Sequence, residues 1–158
     1  MFKKLLMPSD DSDLTSMALL VARLWFGLTM LFNHGLYKLA HFSDIAANAD
    51  PVVKLQDPLG LGLEATLILV IMAEVGAALL LTVGFLTRMA AAVLIVDMFV
   101  AFLMVHKTAL SGEHSGELAF LYLAGYVILV IAGGGLFSLD TVAFARSGLG
   151  RAQKKAED

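Results

Sequence analysis

The sequence predicts an all-α membrane protein: a four-transmembrane-helix up-down bundle with both termini cytoplasmic and a short C-terminal amphipathic helix. Three observations carry this reading. Hydrophobic residues make up 59% of the chain and charged residues 16%, against roughly 45–50% and about 25% in ordinary soluble domains. Four apolar runs approach or exceed the length that crosses a hydrocarbon core about 30 Å thick at about 1.5 Å per residue. No hydrophilic block is long enough to fold separately, so residues 1–158 read as one domain.

The first span, about residues 14–40, is apolar yet carries Arg23, Asn33, His34 and Lys38. At about 100° per residue, Gly27 lies about 40° round the helix from Arg23, His34 about 20° and Lys38 about 60°. The polar groups therefore form one stripe, with Trp25, Leu28, Phe32 and Leu36 largely off it. An ionisable group at membrane depth is costly unless paired or hydrated, so other helices must supply partners. The preceding lead, MFKKLLMPSDD, has too short an apolar run for a signal peptide.

The next segment contains Pro51, Pro58, Gly60 and Gly62 and reads as a loop of about twenty residues. Within it, either Ser43 caps a short interfacial helix through Ala49 that buries Phe42 and Ile45 at the membrane surface, or the segment has no helix. The second span, about 63–85, holds Glu64 and Glu74; Gly84 and Thr87-Arg88 mark a tight turn into the third, about 89–106, with Asp97 near its middle. So short a connection predicts an antiparallel hairpin. The fourth span, about 117–132, ends at Gly133-Gly134-Gly135, and FSLDTVAFARSGLG then reads as an amphipathic helix capped by Ser138. The tail RAQKKAED is charged and reads as disordered.

An even number of spans puts both termini on one side. Lys3, Lys4, Arg88, Arg146, Arg151, Lys154 and Lys155 then share it, against Lys38, Lys54 and Lys107 opposite, which makes the termini cytoplasmic. The net charge of −3 gives no case for nucleic-acid binding. Cysteine is absent, which removes thiolate ligands, disulfide exchange and cysteine nucleophiles, so any redox role needs a borrowed cofactor.

By depth, the polar groups sort into two layers. Arg23, Glu74 and Asp97 form a buried ionic layer in which Arg23 is expected to pair with Glu74 and Asp97, lacking a partner, is expected to be protonated. At the outer ends of the helices, His34, Lys38, Glu64, His106 and Glu117 converge as candidate ligand-binding groups that can protonate or hydrogen-bond a quinone headgroup or line a small-molecule pocket. Both layers also fit plain roles, locking helix packing or meeting headgroups and water, and both readings stand at this point. Haem is disfavoured, since two histidines come with no further motif, and no metal is expected, since His34, His106 and Glu117 lack close ligand spacing. Ala73, Gly76, Ala77 and Gly125 are placed to allow close helix approach within one chain or in a homo-oligomer.

The same residues give the chain its resemblance to the DoxX family of bacterial inner-membrane proteins. Arg23, His34-Gly35 and Lys38 match its opening pattern; Glu74, Gly84, Thr87 and Arg88 its middle; and His106, Glu117, Gly133, Ser138, Leu139 and Asp140 its close, over about residues 15–141. The resemblance implies a four-helix bundle in the inner membrane. It also implies association with thiosulfate:quinone oxidoreductase or with membrane oxidoreductase complexes that detoxify reactive oxygen and thiols, while remoter relatives are chaperones or cargo receptors. The leading expectation is a membrane subunit that binds quinone or a similar apolar ligand and supports soluble or membrane oxidoreductase partners, with the lipid bilayer as its surroundings. A non-catalytic scaffold, chaperone or assembly factor is the alternative, and small-solute transport a third; no catalytic residue is assigned.

Overall fold

The computed structural model describes residues 12–53, 55–112 and 115–146. Lys3, Lys4, Lys54, Arg151, Lys154 and Lys155, which enter the orientation argument, and the charged tail lie outside the described residues. All regular structure among the described residues is helical. Helix α1 spans Ser12–Ala40, α3 Leu63–Val83, α4 Thr87–Val105 and α5 Glu117–Ala132. The short α2 covers Phe42–Ala46 and α6 covers Leu139–Arg146. Three of these, α1, α3 and α4, are long and apolar enough to cross a membrane, and α5 is a shorter apolar helix.

The long helices alternate in direction. The start of α1, the end of α3, the start of α4 and the chain following α5 all meet at one end of the bundle: the Leu136 amide donates to Ser16 Oγ at 3.1 Å, and the Asp140 amide to the Gly84 carbonyl at 2.9 Å. The turn between α3 and α4 is as tight as the sequence predicts. Gly84 ends α3 in the left-handed region at φ 73°, where a side chain would be strained.

Small residues set the helix spacing. A Cβ on Gly27 would come within 2.2 Å of Thr82 Oγ1, one on Gly35 within 2.6 Å of the Glu74 carbonyl oxygen, and one on Gly125 within 2.3 Å of the Phe26 ring. Gly125 thus serves α1–α5 approach inside the chain. Gly76 does not: it faces outward into open space. Around these contacts Met30, Leu81, Ala91, Leu94, Tyr126 and Leu129 form the buried core. The outward side chains are also apolar, Trp25 being 67% and Ile131 73% exposed. An apolar exterior wrapped round an apolar core is what a lipid solvent favours, and it fits contact with a bilayer.

Three of the long helices contain a π-helical turn: Leu31–Gly35 in α1, Met72–Ala77 in α3 and Ala101–Val105 in α4. Such turns are rare and recur at functional sites, because the extra residue re-aims the side chains beyond it. The short helix after α1 forms, but it ends at Ala46, and no side chain caps it, so Ser43 does not take that role. Its Ile45 is fully buried within the protein rather than laid on a membrane surface. At the other end, Ser138 Oγ accepts from the Thr141 amide at 3.3 Å and caps α6 as the sequence predicts. Leu139 and Val142 of α6 stay exposed.

Candidate functional site: a polar cavity between the helix ends

The buried charged groups gather in two places, one at the end where α3 turns into α4 and one reaching from mid-helix towards the opposite end. At the end where α3 turns into α4, Arg23 is fully buried. Its Nη2 donates to the Phe137 carbonyl at 2.8 Å, and its guanidinium packs so closely on Gly84 that a Cβ there would lie 1.9 Å from Nη1. The nearby acid is Asp140, which lies within electrostatic reach of Arg23. Asp140 also accepts from the amides of Leu86 at 2.7 Å and Thr87 at 2.9 Å. A carboxylate from α6 therefore caps α4, satisfying two of its unpaired amides and complementing its dipole. Arg88 Nη2 adds a bond to the Ile131 carbonyl at 3.2 Å.

This corrects the expected Arg23–Glu74 pair. Glu74 lies ten residues before Gly84 on α3, about 15 Å along the helix from the guanidinium at about 1.5 Å per residue. Glu74 pairs instead with Lys38, whose Nζ donates to Oε1. The physical reason is that α1 and α3 run antiparallel: their side chains lean toward opposite ends, which separates Arg23 from Glu74 and leaves Lys38 facing the carboxylate.

The second place is a cavity of about 360 Å³ between the other ends of α1, α3, α4 and α5, within the range of roughly 300–1,000 Å³ common for small-molecule sites. His34 and Lys38 from α1, Glu74 from α3, Asp97 from α4, His106 just past α4 and Tyr122 from α5 line it. Apolar walls come from Val70, Met98, Val105 and Leu118. The π turn of α1 contains His34, that of α3 contains Glu74, and that of α4 contains the wall residues Ala101 and Val105. All three helical irregularities thus border one cavity. His34 meets the Tyr122 ring edge to face at a centroid distance of 5.8 Å, and Tyr122 stacks on Tyr126.

Two carboxylate oxygens at the cavity, Glu74 Oε2 and Asp97 Oδ2, are buried without a hydrogen-bond partner. Asp97 lies within electrostatic reach of both Glu74 and Lys38. The groups expected in separate layers, Glu74 and Asp97 on one hand and His34, Lys38 and His106 on the other, therefore share one site, while Arg23 stands apart. Glu64 and Glu117 are exposed and do not line the cavity.

The loop between α2 and α3 covers the cavity with Val53, Leu55, Gln56 and Pro58. Two aspartates shape it. Asp50 accepts from the Val52 and Val53 amides at 2.8 and 2.6 Å and from Tyr37 Oη at 3.2 Å. Asp57 accepts from the Leu61 and Gly62 amides and from Thr66 Oγ1, tying the loop to the first turn of α3. These bonds hold both carboxyls below the usual aspartate range, chiefly through the Val53 amide for Asp50 and the Gly62 amide for Asp57. Neither aspartate was singled out by the sequence, nor was Tyr122; the only local signal was a Tyr122–Tyr126 pair at i, i+4 on a helix otherwise almost wholly apolar.

Among the described residues, no group of three or more His, Asp or Glu side chains is placed to hold a metal ion. Neither a curated protein nor a solved structure matches the chain. The DoxX family model does, over residues 18–107, from the second turn of α1 to just past the end of α4, with every charged group of the cavity inside it. More than half of the sequence lies within that match, and the chain belongs to the DoxX family of membrane proteins.

Proposed function

We propose that this chain is a single-domain, four-span protein of the bacterial inner membrane whose cavity binds a small apolar molecule with a polar headgroup, quinone being the class that fits. The observation that carries the reading is the cavity itself: apolar walls around Lys38, Glu74, Asp97 and two imidazoles, bordered by all three π turns. Lys38 and the imidazoles supply donors for headgroup carbonyls, and His34 and His106 are of the residue type that exchanges protons near neutral pH. Bound quinone would supply two-electron redox chemistry that the cysteine-free chain lacks.

α5 is proposed as the fourth span because it runs antiparallel along α4. At 16 residues it is about 24 Å long, short of a core of about 30 Å by roughly one turn, a mismatch that local thinning of the bilayer accommodates. Cytoplasmic termini follow from the excess of Lys and Arg on that side, which places the cavity toward the outer face. The family resemblance supports a role as the membrane subunit of an oxidoreductase complex, with partner proteins supplying the electrons.

The test is binding of decylubiquinone to the purified chain in lipid nanodiscs, compared with Ala101→Phe, which fills the cavity without touching a charge. Saturable binding by the wild type that is lost in a folded Ala101→Phe supports the proposal. Equal binding by both, or none by either, refutes it.

A further inference from the structure

We infer that the cavity selects a ligand that presents a hydroxyl group to Glu74 and Asp97, a phenol or the hydroxylated, reduced form of a quinone, over one that offers only carbonyl or ether oxygens. The inference rests on the cavity reading above and adds the polarity of the headgroup.

Glu74 shares its carboxylate with Lys38 through Oε1 alone, which leaves Oε2 as a buried acceptor with no donor. The Glu74 side chain is only 4% exposed, so bulk water does not solvate that oxygen. Asp97 Oδ2 is in the same condition one helix away, and both residues line the same cavity. A buried acceptor left unpaired is costly, and the natural remedy is a donor brought by whatever enters. A carbonyl or an ether oxygen cannot be that donor. A hydroxyl can, and because it also accepts, it suits Asp97 in either protonation state.

The aromatic part of the class follows from the walls. Tyr122 and His34 present rings to the cavity, and Val70, Met98 and Leu118 complete an apolar surface suited to a flat ring with an alkyl substituent. A purely cationic ligand fits less well, because Lys38 is already paired with Glu74, lies within electrostatic reach of Asp97 and repels a second positive charge.

Two redox-inert probes of the same shape separate the cases: 4-octylphenol and its methyl ether, 4-octylanisole. Their uptake is measured with the full chain in nanodiscs against protein-free nanodiscs. The phenol is expected to bind about tenfold or more tightly than the ether, the size of one hydrogen bond to a charged group. That preference should shrink in the doubly substituted Lys38→Met/Glu74→Met protein and vanish when Asp97→Leu is added, each variant checked for folding by circular dichroism.

Equal binding of phenol and ether by the wild type, abolished by Ala101→Phe, would overturn the hydroxyl inference and leave the cavity reading intact. Failure of both probes and of decylubiquinone would overturn both. A phenol preference that survives Ala101→Phe would locate the hydroxyl's partner elsewhere and overturn the inference, as would tighter binding of octyltrimethylammonium, a cation with no donor.

Discussion

The Lys38–Glu74 pair offers the sharpest test of how charge is housed in this bundle. The two side chains are unequally buried, Lys38 15% exposed and Glu74 4%, so their single substitutions should differ. Lys38→Met leaves a buried carboxylate without its cation, a change that destabilises by about 3–5 kcal/mol in the general case. Glu74→Met leaves a lysine whose stem can snorkel from near the end of α1 into water, so about 1 kcal/mol is expected. The double variant removes both charges and should fall within about 1 kcal/mol of the wild type, because a buried ion pair contributes little net stability over apolar replacements. Unfolding by SDS in mixed micelles, followed through Trp25 fluorescence and circular dichroism, measures all four proteins. A coupling of about 2 kcal/mol or more is expected for Lys38 and Glu74, whereas Arg23 and Glu74, about 15 Å apart along the bundle, should be additive within about 0.5 kcal/mol. The reverse result, coupling at Arg23–Glu74 and additivity at Lys38–Glu74, would refute the assignment of charges to the two ends.

Other substitutions probe the packing and the cover of the cavity. Gly125→Ala drives a methyl into the Phe26 ring and should destabilise by about 1–3 kcal/mol, whereas Gly76→Ala, facing open space, should be neutral or stabilise by up to about 1 kcal/mol; the same SDS titration compares them. Asp140→Ala removes the cap from α4 and should cost about 1–2 kcal/mol, with amide exchange rising at Leu86 and Thr87 ahead of the rest of α4. The lowered Asp50 and Asp57 carboxyls stabilise the loop at every pH above the ordinary aspartate value of about 4, and that contribution disappears as pH falls through their still lower folded values. Amide protection factors in this loop, taken relative to the intrinsic exchange rate at each pH, should accordingly drop below about pH 4, and Asp57→Asn should blunt that drop; a flat protection profile in the wild type would contradict the loop geometry.

The apolar runs were legible because lipid-facing and core-facing positions are both apolar, so a span declares itself by length alone. That same uniformity hides which face is which. Helical angles placed Arg23, His34 and Lys38 on one stripe, but the π turn at Leu31–Gly35 lies between the first and the last of them and breaks the assumption of a constant 3.6-residue period. Depth misled in a similar way. Counting from helix ends set Glu74 beside Arg23, because a boundary uncertain by a few residues on each helix adds to the opposite lean of side chains on antiparallel helices. The outer cluster was half visible: His34, Lys38 and His106 do meet, while Glu64 and Glu117 start their helices on exposed faces. Asp50, Asp57 and Tyr122 escaped notice because their roles are set by partners distant in sequence or by loop backbone, which no periodicity records.

Unpaired buried polar atoms occur at both ends of the bundle, so they do not by themselves mark a site. Arg23 Nε and Nη1 and Thr87 Oγ1 lack partners just as Glu74 Oε2 and Asp97 Oδ2 do. The difference lies in what surrounds them. Around Arg23, Gly84 is pressed against the guanidinium, and Gly134 fits so closely against Ser138 and Thr87 that a Cβ would fall within 2.7 Å of each; α6 closes that end through Asp140. Among the described residues these close contacts pack backbone directly against the unmet groups, which fits a structural rather than a ligand-binding role. Around Glu74 and Asp97 the helices depart from regular geometry at three points and leave an apolar-walled space. A fold that closes one charged end with glycines and a cap could have closed the other by the same means. That it keeps buried, unpaired carboxylates in the wall of a cavity there is the physical ground for assigning binding to that end and anchoring to the first.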